Sequence, residues 1–150
     1  MDDMDRTVEA VCRLVVDFRV LGNVSAVDLV VMSGYQSAAD RITVDRVTEC
    51  LNAHPDWVEA WLMWSQDQRS SPAWWVAARS TSGYEVGYHD PRLKRQRPPF
   101  VFDDKVRACG EFVVRAAQSI EDGRQRVEAG RKPGESYIDA AIRLSASRLD

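Results

Sequence analysis

Few residues in the chain combine the types and spacing that catalysis requires. The histidines are His54, just before Pro55, and His89, which lies between Tyr88 and Asp90. An imidazole oriented by a carboxylate is a common general base, so Tyr88, His89 and Asp90 form the candidate catalytic group. Neighbouring residues of a strand point to opposite faces, however, which argues against direct pairing of His89 with Asp90. The sequence therefore favours a protein that is not an enzyme.

Motifs for metals and cofactors are absent from the sequence. It contains no CxxC, HxxxH or HExxH spacing, and no GxxxxGK[ST] or GxGxxG loop for phosphate or dinucleotides. The three cysteines, Cys12, Cys50 and Cys109, are scattered through helix-like segments. Scattered cysteines in odd number suggest reduced core thiols in a cytoplasmic protein. We expect no cofactor and no metal.

A basic loop is the first candidate for binding. Three prolines exclude a helix from residues 90–100, and the charges of that segment exclude burial. Its cations, four within six residues, are Arg92, Lys94, Arg95 and Arg97. Such a loop can contact phosphate or an acidic protein surface.

Aromatic residues of the preceding segment are the second candidate. Trp74, Tyr84 and Tyr88 lie on two short β-like runs that flank a Ser-Thr-Ser-Gly turn. Aromatic cross-strand pairs stabilise small sheets, which gives these rings a structural role. If they lie on a face without helices, they form an exposed aromatic patch of the kind that marks partner sites.

Charge divides the chain into two unequal parts. The net charge is -3, but residues 1–68 carry 12 acidic and 5 basic side chains (-7), whereas residues 69–150 carry 11 and 15 (+4). The overall balance argues against nucleic acid as the partner. The acidic half can attract a basic protein or can simply be a solvated surface. The acids predicted to project from its tryptophan-rich helix are Asp56, Glu59 and Asp67.

Helices must position most of these side chains. Apolar spacing predicts helices over residues 5–21 and 25–32, a third that begins after Thr43, and a fourth that begins at Pro55. The fourth carries Trp57, Trp61 and Trp64 on one stripe, which predicts a mostly buried face. No apolar run reaches the length of a membrane span, and the acidic N-terminus is unlike a secretory signal.

The second half of the chain predicts a small sheet between helices. A hairpin, extended by a third strand at residues 100–102, occupies residues 73–102, and we expect Trp75 and Val86 to face the core. Asp103 is the expected cap of a fifth helix. Residues 121–136 are polar and rich in glycine, which predicts a loop before a last helix at 136–148, with Ile138, Ala141, Ile142 and Leu149 on one side. The sequence thus predicts one α+β domain over residues 1–150, mostly helical, with its sheet packed on helices.

The order of these features resembles that of a known class of bacterial proteins. The resemblance covers about residues 40–120 and rests on WSQDQR at 64–69, a WW strand, the YEVGY strand and a helix led by FDD that contains an Ala-Cys pair. These features are similar to those of the immunity proteins of polymorphic-toxin and contact-dependent inhibition systems. The resemblance implies a cytoplasmic protein that binds and neutralises a cognate toxin.

Three functions follow, in order of preference. The first is a non-enzymatic protein-binding inhibitor, to which the residues named above for the acidic helix, the aromatic strands and the basic loop contribute the partner contacts. The second is a nucleic-acid-associated or regulatory module that uses the basic loop 92–97. The third is an enzyme with an unusual site around His89. The sequence leaves the identity of the partner and the oligomeric state open.

Overall fold

The computed structural model describes residues 2–66 and 73–147 as one α+β arrangement. Its strands are β1 (Ala73–Ala78), β2 (Tyr84–His89) and β3 (Phe100–Phe102). Its helices are α1 (Asp3–Cys12), α2 (Leu14–Leu21), α3 (Ala26–Ser33), α4 (Tyr35–Ala38) with a 3-10 turn at Ala39–Arg41, α5 (Val44–Asn52), α6 (Pro55–Gln66), α7 (Lys105–Gly130) and α8 (Tyr137–Ser147). The predicted fold class, a mostly helical domain with a small antiparallel sheet, is confirmed.

Side-chain caps fix the starts of several helices. The Ser25 hydroxyl accepts from the backbone N–H of Asp28, whose carboxylate accepts from the Ser25 N–H in return. The Thr43 hydroxyl caps α5 as predicted. The cap of α7 is Asp104 rather than the predicted Asp103, because the Asp104 carboxylate is the one that reaches the free N–H of Arg107.

The predicted helix over residues 5–21 is interrupted at Arg13. The N–H of Val16 donates to the carbonyl of Arg13, three residues back, instead of to the carbonyl of Cys12. The indole Nε1 of Trp61 donates to that Cys12 carbonyl at 2.6 Å. A side chain of α6 therefore satisfies the carbonyl that the interrupted ladder leaves free.

The three strands form a sheet in the order β1-β2-β3, with both pairs antiparallel. Val76 lies opposite Val86, and both are buried where the sheet packs on α6 and α7. Because side chains alternate along a strand, Trp75 lies on the other face, and the expectation that it faces the core is wrong. Its indole covers Gly87, the residue opposite it, where a Cβ would collide with the ring.

The core forms where α7 crosses the other elements. Phe112 and Val113 of α7 are fully buried, and the Phe112 ring meets that of Trp61 edge-on at 5.8 Å. The sheet is fastened to α6 by Ser65, whose hydroxyl bonds both the N–H and the carbonyl of Val76. These contacts join α6 both to α7 and to the sheet.

The polar loop predicted for residues 121–136 is wrong over its first ten residues, because α7 continues to Gly130. Within this segment the carboxylate of Glu121, which is buried, pairs with the Arg124 guanidinium at 2.6 Å, three residues further on. The turn that follows is closed by Arg143, which binds Glu135 at 2.9 Å and the Gly130 carbonyl at 2.5 Å.

The last helix packs on α7 through a face different from the predicted one. Ala140 is fully buried, whereas Ile138 and Ile142 are about two-thirds exposed, at 69% and 64%. The expected apolar side of α8 therefore faces solvent in the described residues, because the smaller alanine is the residue that fits against α7. Leu149 lies outside the described residues.

The thiols and the hydropathy of the helices agree with the sequence analysis. Cys12 and Cys109 are buried, Cys50 is half-buried, and all three are free. No helix within residues 2–66 and 73–147 combines the length and the hydrophobicity that crossing a bilayer requires.

Candidate functional site

The candidate catalytic residues are not arranged as a catalytic pair. The Asp90 carboxylate accepts from Nε and Nη2 of Arg92 at 3.0 and 2.9 Å, while His89 is exposed at the end of β2. The Arg92 side chain lowers the pKa of Asp90 through these bonds. His54 is stacked on Trp57, with 3.6 Å between the ring centroids. In the described part of the chain, no three His, Cys, Asp or Glu side chains form a group suited to a metal ion.

Two of the three thiols, Cys12 and Cys109, are buried with raised pKa values, which makes them poor nucleophiles. Burial raises the pKa of Cys109 to about 12, so this thiol stays protonated at neutral pH. The pKa of Cys12 is also raised, by its interaction with the neighbouring Cys50 thiol and by burial. The same interaction lowers the pKa of Cys50, while the Cys12 thiol donates to the Val47 carbonyl at 3.8 Å. Cys12 and Cys50 thus act as neighbouring packing groups between α1 and α5.

The acidic residues predicted to contact a partner lie on α6 or beyond it. Asp56 and Glu59 are exposed, as expected for the polar side of the helix. Lys105, at the start of α7, pairs with Glu59, which raises the pKa of the lysine. Arg107 similarly pairs with Asp45 of α5. The cations of α7 thus neutralise part of the acidic surface; Asp67 lies outside the described residues.

The predicted aromatic residues share the face of the sheet that packs on helices. Tyr84 is half-buried and packs with Phe102 against the core. Trp74 and Tyr88 lie opposite each other near the open end of the sheet, with 5.3 Å between ring centroids. Both are half-buried, so part of each ring remains accessible. Tyr84 thus serves packing, whereas Trp74 and Tyr88 reach a surface.

The basic loop is held in shape by the residues at its base. The side chain of Gln96 accepts from the Asp90 N–H at 3.1 Å and donates to the carbonyls of Asp90 and Leu93 at 2.8 and 3.1 Å. Arg92 is occupied by Asp90, as described above. The remaining cations of the loop, Lys94, Arg95 and Arg97, are exposed. The loop therefore presents three cations on an ordered backbone.

A cleft of about 440 Å³ opens between the end of the sheet, the basic loop and α7. We call it the loop cleft. It is lined by Trp74, Tyr88, Asp90, Leu93, Arg97, Arg115, Gln118, Ser119, Asp122 and Arg126. A second hollow of about 370 Å³ adjoins it and shares Trp74, Tyr88 and Arg97. The structure thus gathers three of the predicted partner residues at the junction of two open depressions.

Arg115 forms the floor of the loop cleft. Its guanidinium lies over the rings of Trp74 and Phe100, at 4.8 and 5.0 Å from their centroids, and pairs with Glu111 at 3.1 Å. Cation–π contacts on two sides and one ion pair hold this group in place. The Arg115 guanidinium is therefore positioned before any ligand arrives.

The rim of the cleft carries cations that the fold does not neutralise. Arg97 and Arg126 are exposed, and neither has an ion pair or hydrogen bond with another of the described residues. The acids of the lining differ in state: Asp90 is paired with Arg92, and Asp122 accepts from the amide of Gln118 at 2.8 Å. Two free guanidiniums therefore face one carboxylate, and the cleft is electropositive.

Half of this site was missed by the sequence analysis. Five lining residues come from α7. Arg115, Ser119, Asp122 and Arg126 follow one another at intervals of three or four residues, with Gln118 beside Ser119, which places them on one helical face. The periodicity was present in the sequence, but the loop predicted from residue 121 onward divided it. A helix continued past that point would have revealed the stripe.

Comparison with models of protein families, with curated proteins and with solved structures gives no match to this chain.

Proposed function

We propose that the chain is a non-enzymatic protein-binding inhibitor, which binds and neutralises a cognate toxin in the cytoplasm as immunity proteins do. The observation that supports this proposal best is the loop cleft, which gathers Trp74, Tyr88 and Arg97 beside further arginines of α7. Tryptophan, tyrosine and arginine are the residues that dominate binding energy at protein interfaces. An open cleft that combines them is suited to a protein partner.

The surroundings of the cleft agree with a contact of this kind. The rings of Trp74 and Tyr88 have apolar area that remains accessible, and Leu93, on the loop above them, is 48% exposed. The exposed arginines of the rim supply directional donors around that apolar area. An apolar centre with a polar rim is the usual anatomy of a protein interface.

The loop cleft replaces the acidic side of α6 as the proposed partner-binding surface. The acidic side of α6 was the expected docking surface, but Glu59 of α6 is paired with Lys105, and Asp45 of α5 is likewise paired with Arg107. Free cations, by contrast, remain at the cleft. The partner would then present an acidic surface to the cleft.

The test is direct co-expression with the product of the neighbouring gene. We expect that product to be toxic alone, to be harmless with this chain, and to form a one-to-one complex by size-exclusion chromatography with light scattering. The double variant Arg97→Glu/Arg126→Glu should lose protection, whereas Lys94→Glu/Arg95→Glu, with the same charge change outside the cleft lining, should retain it. A neighbour that is not toxic and does not bind would refute the inhibitor function.

A second candidate is a module that binds single-stranded nucleic acid. The specific observation in its favour is the arrangement of stacked rings beside arginine in the cleft, since bases stack on such surfaces. The exposed Lys94 and Arg95 could extend the contact along a phosphate backbone. Binding of single-stranded oligonucleotides that falls steeply with salt would support this function, and no binding at low salt would exclude it.

A further inference from the structure

We infer that the loop cleft recognises an acidic peptide segment of the partner, with carboxylates held by Arg97 and Arg126 and an apolar side chain placed against Trp74 and Tyr88. This inference rests on the proposed function, because it specifies the chemistry of the partner that the inhibitor binds.

Charge selects a carboxylate for the rim. Arg97 and Arg126 approach the cleft from opposite walls, one from the loop and one from α7, and neither is paired within the part of the chain described. A planar guanidinium offers parallel N–H donors that match the two oxygens of a carboxylate. Because Asp90 is already bound by Arg92, it does not compete for these arginines.

The rings define the apolar half of the ligand. Trp74 and Tyr88 form one wall, and Leu93 closes it from the loop side. Arg115 stacks on the face of Trp74 and is paired with Glu111. Its side chain is therefore part of this wall and does not extend towards the ligand. An aromatic or aliphatic side chain next to the carboxylate would bury area on this wall.

Size and mixed charge favour a peptide over a polyanion. A volume of about 440 Å³ accommodates a few side chains rather than a long strand. Asp122 lies on α7 like Arg126, and its carboxylate can accept from the N–H groups of a peptide backbone, which a phosphate chain lacks. The structure provides one compact site with both donors and an acceptor, not a continuous basic track.

The experiment uses two fluorescein-labelled peptides and one labelled oligonucleotide as probes. The acidic probe is Gly-Phe-Glu-Glu-Phe-Gly, the matched neutral probe replaces both glutamates by glutamine, and the third probe is hexathymidylate. Fluorescence anisotropy at low salt measures their dissociation constants for the full chain. We expect the acidic peptide to bind at least about tenfold more tightly than its neutral counterpart, the difference that one charge-assisted hydrogen bond provides.

Variants locate the binding in the cleft. Arg97→Glu/Arg126→Glu should weaken binding of the acidic peptide by at least about tenfold, whereas Lys94→Glu/Arg95→Glu should change it by less than about threefold. Circular dichroism confirms that each variant is folded, and Arg97→Gln/Arg126→Gln replaces the charge reversal if that variant unfolds. Trp74→Ala tests the apolar wall and should also weaken binding of the acidic peptide.

Each result decides the question. Equal binding of the two peptides, absence of binding, or equal effects of the two charge reversals would overturn the inference, and tighter binding of hexathymidylate would assign the cleft to nucleic acid. The outcome is separable from that of the inhibitor function. If both charge-reversal variants neutralise the toxin equally well, the inhibitor function is retained and the role of the loop cleft is refuted. If the peptide binds in the cleft but the neighbouring gene product is not toxic, the role of the cleft is retained and the inhibitor function is refuted.

Discussion

Two tryptophans of α6 differ in whether the indole N–H has a hydrogen-bond acceptor, so the same substitution to phenylalanine can be compared at both. The indole N–H of Trp61 donates to the Cys12 carbonyl at 2.6 Å in the core. The indole N–H of Trp64 is also buried, but no described residue accepts from it. Trp61→Phe therefore removes a satisfied donor, and Trp64→Phe removes an unsatisfied one. We expect the first variant to be much less stable than the second.

The magnitudes follow from the two environments. Trp61→Phe leaves the Cys12 carbonyl without its donor, which costs about 1–3 kcal/mol, and a smaller ring beside Phe112 adds about 1 kcal/mol. The free energy of unfolding should therefore fall by roughly 2–4 kcal/mol. In Trp64→Phe, the loss of ring contact with Phe18 is offset by removal of the unpaired donor. Its stability should stay within about 1 kcal/mol of the wild type.

Urea unfolding followed by far-ultraviolet circular dichroism measures both variants without relying on the altered fluorophores. The denaturant dependence should be the same in each variant, so that the midpoints report stability. Amide hydrogen exchange around Arg13 measures the local effect. It should change only in Trp61→Phe, because the Cys12 carbonyl loses its donor only in that variant. Equal losses of stability, or a larger loss in Trp64→Phe, would contradict the role assigned to the indole at the break.

Three further predictions concern packing and charge. Ser65→Ala removes both bonds from that hydroxyl to β1 and should lower the free energy of unfolding by about 1–3 kcal/mol in urea, whereas Ser65→Thr should retain most of it. Gly110→Ala places a methyl group against the Thr48 hydroxyl and should cost about 1–3 kcal/mol, most of which Thr48→Ala/Gly110→Ala restores. The Arg143 guanidinium holds the pKa of Glu135 at about 2, and a carboxyl with a lowered pKa stabilises the fold only while it is ionised. The protection of α8 amides from hydrogen exchange, taken relative to the intrinsic exchange rate at each pH, should therefore decrease as the pH falls from 4.5 towards 2, and this decrease should be smaller in Glu135→Gln.

Local signals made the first half of the fold predictable. Pro55 and the tryptophan stripe that follows it identify α6, and Ser25 and Thr43 identify the starts of α3 and α5, because caps and periodicity act within one or two turns. The break at Arg13 was not predictable in this way. It depends on the Trp61 indole, which is 49 positions from the Cys12 carbonyl in sequence.

The extension of α7 shows how a polar composition misleads. Gly123 and Gly130 suggested a loop, yet a glycine inside a helix costs only about 1 kcal/mol relative to alanine. The pair formed by Glu121 and Arg124 and the packing of α8 offset that cost. Gly130 has a use in the helix, since a Cβ there would lie 3.0 Å from Cδ1 of Leu144. The glycine marks a close helix contact rather than a turn.

Which face of the hairpin packs on the helices depends on two residues that are distant in sequence but lie opposite each other in the sheet. Alternation requires Trp74 and Trp75 to lie on opposite faces, but it does not indicate which one meets the helices. The position of Gly87 opposite Trp75 supplies the answer, because only a residue without a side chain leaves room for the indole to lie flat across the strand. Trp74 was thereby directed towards α7 and into the cleft.

One helix provides both the centre of the core and one wall of the loop cleft, and this has a consequence for binding. Phe112 and Val113 are immobilised by packing, so Arg115 and the residues one, two and three turns further along the same rigid helix keep fixed positions. The opposite wall is equally constrained, since Gln96 and Asp90 hold the loop by hydrogen bonds. A partner that enters such a cleft orders few protein groups, so more of its contact energy appears as affinity.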